Sequence, residues 1–374
     1  MKEIRLSKSC IGREEKEAVN GVLEREFLGM GSDVRKFEDK LEEFFNRPSV
    51  CVSNGTAALQ LALQAASISE HDEVLVQSIT YVASAQSISA LGAKPVFCEI
   101  DPSNFTIDIK DAESKITDRT KAIMPVHYGG NIGSIRKIYE LAEKYNLRVI
   151  EDAAHAFGVS HEGKMVGSFG DIICFSFDGI KNITSGEGGC IVSSDTDVLD
   201  FVKDARLLGV VGDTRKRYNS ERSWEYDVQF QGWRYHMSNI MAAIGIEQLK
   251  KFKILSNKRK QLANIYSMNF KDMPQISPIV KDFENITPHI YPIVLNSEID
   301  RDGLRKKLSE LNVQTGIHYF PNHKLNFYAE VPKVSLPTTE KLYDHILSLP
   351  LHPDLDEKDV HSVSSYVSDY VCSS

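Results

Sequence analysis

The sequence predicts an α/β fold: a large N-terminal domain with a mostly parallel sheet, followed by a smaller α+β domain. Three observations carry this. Short apolar runs of strand composition alternate with helical patterns from Ser49 to Val192, the spacing of parallel strands joined by crossover helices. At 374 residues the chain is longer than one small core organises. A long helical pattern from Asn239 to about Phe270 then separates that alternation from a different set of elements. The expected division is 1–245 for the large domain and 246–374 for the small one.

In chain order, a helical pattern at 14–26 ends at the turn Gly29-Met30-Gly31. A second helix runs from Val34 to Phe45, with Val34, Phe37, Leu41 and Phe44 on one side. Ser49-Val50-Cys51-Val52 reads as a strand, and a polar turn leads from it into an alanine- and leucine-rich helix. Further strands are expected at 73–76, 94–98, 121–126 and 147–150, with helices from Tyr81 to Ala90 and from Ile132 to Tyr145. Asp171 to Phe175 is another apolar strand, Cys190-Ile191-Val192 follows, and a helix runs through Leu199 to Leu208. The charged stretch 213–227, with Arg215, Lys216, Arg217 and Arg222, reads as a long surface loop of the kind that serves function or a partner subunit. The small domain is expected to hold a strand at 289–295, a helix at 302–311, the histidine-rich turn 316–323 and a terminal helix.

Composition narrows the function classes. A formal net charge of -8 argues against a general nucleic-acid binder, which would carry a basic face. Residues 1–7 have no apolar segment, so no signal peptide is expected, and no apolar run is long enough to span a bilayer. Six scattered cysteines without a C-x-x-C pair read as reduced core residues of a cytoplasmic protein, with no disulfide frame and no zinc site.

Three stretches carry chemistry. In Ser53-Asn54-Gly55-Thr56-Ala57 a glycine-bearing turn opens a helix whose first amides have no internal partners. That suits a phosphate, although a plain N-cap by Ser53, Asn54 or Thr56 would use the same residues. Asp152, in Glu151-Asp152-Ala153-Ala154-His155, is a carboxylate at the tip of a buried strand, costly unless something positive meets it or it caps the next helix. Lys181 lies just beyond a buried strand, in Ser176-Phe177-Asp178-Gly179-Ile180-Lys181, where desolvation can lower its pKa and free its amine for attack. An acid, a lysine and an anion site on an α/β sheet are the parts that a pyridoxal phosphate enzyme needs.

With Gly92-Ala93-Lys94-Pro95-Val96, the block Ser176–Gly189, Ser238 to Leu249 and Leu347-Ser348-Leu349-Pro350, these stretches resemble the DegT/DnrJ/EryC1/StrS sugar aminotransferases over nearly the whole chain. The resemblance implies the type I fold of pyridoxal-phosphate-dependent transferases, with a seven-stranded-type sheet. It implies that Lys181 forms the Schiff base and that Asp152 pairs with the pyridine nitrogen. Gly55, Thr56, Ala57 and Ser176 would hold the phosphate, Tyr81 would stack on the ring, and His155 would reach the phenolic oxygen. Two departures stand out: His155 replaces a frequent glutamine, and Gly232-Trp233-Arg234-Tyr235-His236-Met237 replaces G-x-N-x-R-M. Arg234 could take over the asparagine's phosphate contact or bind substrate diphosphate. His318 and His323 could line the sugar-nucleotide pocket.

The implied reaction passes an amino group from L-glutamate to a nucleotide-linked keto-6-deoxy sugar, with pyridoxamine phosphate as the intermediate cofactor form. Gly186-Glu187-Gly188-Gly189 resembles the branch that aminates sugar carbon 4; a 3-keto substrate is the alternative, and a non-catalytic regulator on the same fold a more distant one. The family also implies a homodimer with shared sites and a place in deoxyamino sugar and polysaccharide biosynthesis.

Overall fold

The computed structural model describes residues 2–221, 224–329 and 334–373. The chain opens with α1 (Arg13–Glu24) and α2 (Ser32–Phe45). Val34, Phe37 and Leu41 of α2 are buried along the face that the sequence marks. There follow β1 (Ser49–Val52), α3 (Gly55–Ala65), β2 (Glu73–Gln77), α4 (Val82–Ser89), β3 (Lys94–Cys98), α5 (Ile109–Ser114), β4 (Thr120–Met124), α6 (Ile135–Tyr145) and β5 (Arg148–Asp152). A short hairpin, β6 (Ser160–His161) and β7 (Lys164–Met165), precedes β8 (Ile172–Ser176) and β9 (Gly189–Ser193).

Seven of these strands form one sheet in the order β1-β9-β8-β5-β4-β2-β3. From β3 to β8 every neighbour is parallel, while β9 runs antiparallel to both β8 and β1. The reversal has a local cause: no helix intervenes between β8 and β9, and a parallel return needs a crossover. The segment that makes this turn carries Lys181. β1, β2, β5, β8 and β9 are buried almost throughout, as strands covered on both faces must be.

Then come α7 (Thr196–Ala205), α8 (Asp213–Tyr218) and α9 (Asn239–Asn269), followed by β10 (Ile276–Pro278), β11 (Tyr291–Leu295), α10 (Arg301–Glu310), α11 (Pro337–Tyr343), β12 (Ile346–Leu349) and α12 (Glu357–Ser373). The order β10-β11-β12 makes a small antiparallel sheet. α9 packs on α1 and α2 at one end and on α12 at the other, so residue 245 lies inside a continuous helix that spans both parts.

The stretch 213–227 is not loop throughout. Its start folds as α8, supported by Arg217 Nε donating to Asp213 Oδ2 at 2.8 Å and by Tyr218 Oη meeting the buried Glu38–Arg206 pair. Arg222 lies outside the described residues. The strand expected at 289–295 begins at Tyr291, because the His289 carbonyl bonds Arg259.

Candidate active site

β5 and β8 lie side by side and parallel, with Asp152 opposite Cys174, so the chain leaves both strands at the same edge of the sheet. A cavity of about 530 Å³ opens there, where ligands sit in parallel α/β sheets. Gly55, Thr56, Tyr81, Asp152, His155, Ser176, Lys181 and His318 all line it, joined by Thr80, Asp178, Glu187, His289 and Tyr319.

α3 supplies an anion cradle. Asn54 caps the helix, its Oδ1 accepting from the Ala57 amide at 2.8 Å, so both readings of this turn hold at once. The Gly55 and Thr56 amides are the helix-starting donors that lack an internal acceptor, and the Ser176 side chain packs beside Gly55. A Cβ on Gly55 would stand 2.8 Å from Ser176 Cβ, so only glycine lets backbone and serine close on a bound group. Ala57 does not join the cradle, since its amide is spent on the cap.

Asp152 is buried at the tip of β5. Ser84 Oγ donates to its Oδ2 at 2.7 Å and the Ala154 amide to its Oδ1 at 3.2 Å, fixing the carboxylate's direction. Thr80 Oγ1 backs Ser84 Oγ at 2.8 Å. Lys181 is partly buried, with its Nζ 3.4 Å from His289 Nε2. Burial lowers its pKa to about 8, against the opposing pull of Asp152 and Asp178, so a fraction of the amine is neutral near physiological pH.

His155 is held from two sides. The Gly129 amide donates to Nδ1 at 3.2 Å, which leaves the proton of the neutral ring on Nε2. Nε2 therefore donates to Tyr319 Oη at 3.0 Å and frees the phenol's own proton for a bound group. Burial keeps the His155 pKa well below the ordinary value, with the Lys181 charge acting in the same direction. Tyr81, 59% exposed at the start of α4, tilts against Tyr319 with ring centroids 5.8 Å apart, so two aromatic rings flank the mouth. His318 bonds Ser348 Oγ through Nδ1 at 2.7 Å.

Two expected residues stand elsewhere. His323 is buried below the end of β2, with Nδ1 2.7 Å from Ser78 Oγ and Nε2 3.2 Å from Glu340 Oε1. It braces the segment that carries Tyr81, and Asn322 Nδ2 helps by donating to the Thr80 carbonyl at 2.8 Å. Arg234 is exposed and does not line this chain's cavity, its backbone being bridged to Leu207. The sequence reading also missed residues. Tyr319 adjoins His318 in a turn already marked as functional, so it was within reach. Ser84 was not, since a serine inside a short helix gives no sign of the carboxylate that it meets.

The donor set fits a phosphorylated pyridine aldehyde: free amides and a hydroxyl for the phosphate, a directed carboxylate for the ring nitrogen and a lysine of lowered pKa for the aldehyde. A family model, the DegT/DnrJ/EryC1/StrS aminotransferase family, matches residues 9–368. GDP-perosamine synthase of Escherichia coli O157:H7 is 37% identical, with 99% of this chain and 100% of that one covered. PseC of Helicobacter pylori, an aminotransferase involved in the biosynthesis of pseudoaminic acid, superposes with a TM-score of 0.92 at 29% identity, covering 100% of both chains. Spr1654 of Streptococcus pneumoniae, solved in a PLP form, matches with a TM-score of 0.92 at 26% identity, over 100% of this chain and 99% of that one; it is also solved in a PMP form. The group that this fold carries is therefore pyridoxal phosphate. The chain belongs to the DegT/DnrJ/EryC1/StrS family and is a pyridoxal-phosphate-dependent sugar aminotransferase.

Proposed function

We propose that this enzyme moves an amino group from L-glutamate to a keto-6-deoxy sugar on a nucleoside diphosphate, at sugar carbon 4. The observation that carries the reading is the meeting of Lys181, Asp152 and the Gly55–Ser176 cradle in one cavity. When bound, pyridoxal phosphate supplies an aldehyde that takes up an amine and a ring that withdraws electrons from the adjacent carbon. The amides of Gly55 and Thr56 with Ser176 Oγ would hold its phosphate, and Asp152 would meet its ring nitrogen. Tyr81 would cover one face of the ring and help to exclude water. Lys181 Nζ, in its neutral fraction, takes a proton from the donor's alpha carbon and later returns one to the sugar carbon.

Glu187 supports carbon 4, since the motif in which the sequence resembles that branch brings this carboxylate to the cavity wall. Its pKa is raised by burial and then by Asp178. Among the described residues that line the cavity, Lys181 is the one lysine or arginine. A diphosphate and a dicarboxylate need further cations, and we propose a homodimer in which the partner's Arg234 provides one. The exposed Trp224, Tyr226 and Val228 support that interface. Among the described residues no helix is long and apolar enough to cross a membrane, and with six free cysteines we place the reaction in the cytoplasm.

The test follows the cofactor's colour. Adding L-glutamate to the loaded protein should replace the aldehyde band with that of the amine form. A panel of keto sugar nucleotides then identifies the acceptor. No bleaching by glutamate removes the donor assignment, and recovery with 3-keto substrates alone removes carbon 4.

A further inference from the structure

His289 was not singled out in the sequence, yet it is the side chain that Lys181 Nζ meets, at 3.4 Å from Nε2. The imidazole is buried, and among the described residues its Nδ1 has no partner. Lys181 and the tilted ring of His155, with centroids 4.4 Å apart, are thus what orients it. A buried polar atom left unpaired carries a cost, which a purely structural site would avoid.

The backbone around this pair is clamped from α9. Arg259, itself almost fully buried, donates from Nη1 to the carbonyls of His289 and Leu351, both at 3.1 Å, and from Nη2 to the carbonyl of Ile180 at 3.3 Å. One guanidinium therefore pins His289 and the residue before Lys181. On the other side of the lysine, Asn182 Nδ2 donates to the Thr287 carbonyl at 3.0 Å, and Thr287 Oγ1 lies 2.7 Å from Ser256 Oγ of α9. The lysine segment and the histidine segment are tied before and after the two side chains that touch.

We propose that His289 is a positioning residue for proton transfer: its Nε2 accepts a hydrogen bond from Lys181 Nζ and aims the amine's lone pair into the cavity. Burial, reinforced by the Lys181 charge, keeps His289 neutral, and a neutral ring has an acceptor to offer. The other groups that face Lys181 are Asp152 and Asp178, which favour its charged form, and Arg259, which opposes it, with His155 and His318 held neutral by burial. None of these bonds the amine among the described residues, so the direction of Nζ falls to His289.

The inference rests on Lys181 being the reacting amine, and the experiment reads that separately. Borohydride reduction of the loaded enzyme, followed by peptide mass mapping, must mark Lys181; marking of another lysine overturns both readings. With Lys181 marked, the donor half-reaction is timed in His289→Phe, which keeps a ring without nitrogens, and in His289→Gln, which returns an acceptor. A misdirected amine should slow the half-reaction about 100-fold in the Phe variant, with Gln restoring it to within about 10-fold of the unchanged enzyme. In the cofactor-free full chain, competitive acetylation of Lys181 across pH should show a lower midpoint in the Phe variant, since its ammonium loses an acceptor. If the Phe variant reacts at the normal rate, if Gln is no better than Phe, or if the midpoint stays in place, His289 does not position the lysine. Should the Phe variant fail to fold, His289→Leu takes its place in the same comparison.

Discussion

Burial pulls the Lys181 amine from 10.5 to about 8, while Asp152 and Asp178 pull it back. The sign of its effect on stability follows. Between about pH 8 and 10.5 the unfolded chain holds this proton more tightly than the folded one, so stability rises with pH across that window. Below it the fold bears the full cost of a poorly solvated ammonium. Lys181→Met should therefore raise the melting temperature of the cofactor-free protein at neutral pH, with the advantage narrowing as pH climbs towards 10.5. Thermal melts at neutral and alkaline pH decide it: a constant offset would mean that the lysine's charge carries no such cost. The residue itself was legible, because a lysine after an apolar strand and before Gly186-Glu187-Gly188-Gly189 stands out. His289 was not, since a histidine ahead of a strand has no local mark and gains meaning only from what α9 holds beside it.

At the scale of elements, α9 joins the two parts. Its length was readable from periodicity, and its start is fixed by Ser238 Oγ accepting from the Met241 amide at 3.3 Å. Its packing was not readable. Phe252 lies edge-on to Phe44 and Phe157, and it presses on Gly158, where a Cβ would come within 1.9 Å of the ring. Gly158 also sits at φ +77°, which disfavours any side chain. Gly158→Ala should cost roughly 2–5 kcal/mol, from left-handed backbone strain and overpacking together. Denaturant unfolding checks this, and a loss near zero would mean that Phe252 moves aside freely. α8 escaped the sequence reading for the same reason: a short charged helix has no apolar stripe, and its anchor is the distant Glu38–Arg206 pair.

At the scale of the molecule, Lys181 is the one lysine or arginine among the described residues that line the cavity, few cations for the proposed substrates, and Arg234 is exposed and does not line it. The homodimer proposed above would account for both. Arg234→Ala and Lys181→Ala should each be inactive alone. If sites are shared across a two-fold interface, mixing them should restore about a quarter of normal activity, from hybrid dimers with one intact site. No recovery on mixing, with both variants folded and dimeric, would place Arg234 outside the partner's site.

What the sequence determined alone was set by short-range physics. Alternating strands and helices gave the parallel sheet, and the polar turn, the strand-end acid and the strand-end lysine each carry their chemistry within a few residues. What only the tertiary structure decided were the meetings between distant segments: Tyr319 with His155, Ser84 with Asp152, and His289 with Lys181. It also moved His323 out of the cavity and into the support beneath Tyr81. Such pairs lie far apart in sequence, and no local pattern specifies which side chains the packing of α9 and the small sheet will bring face to face.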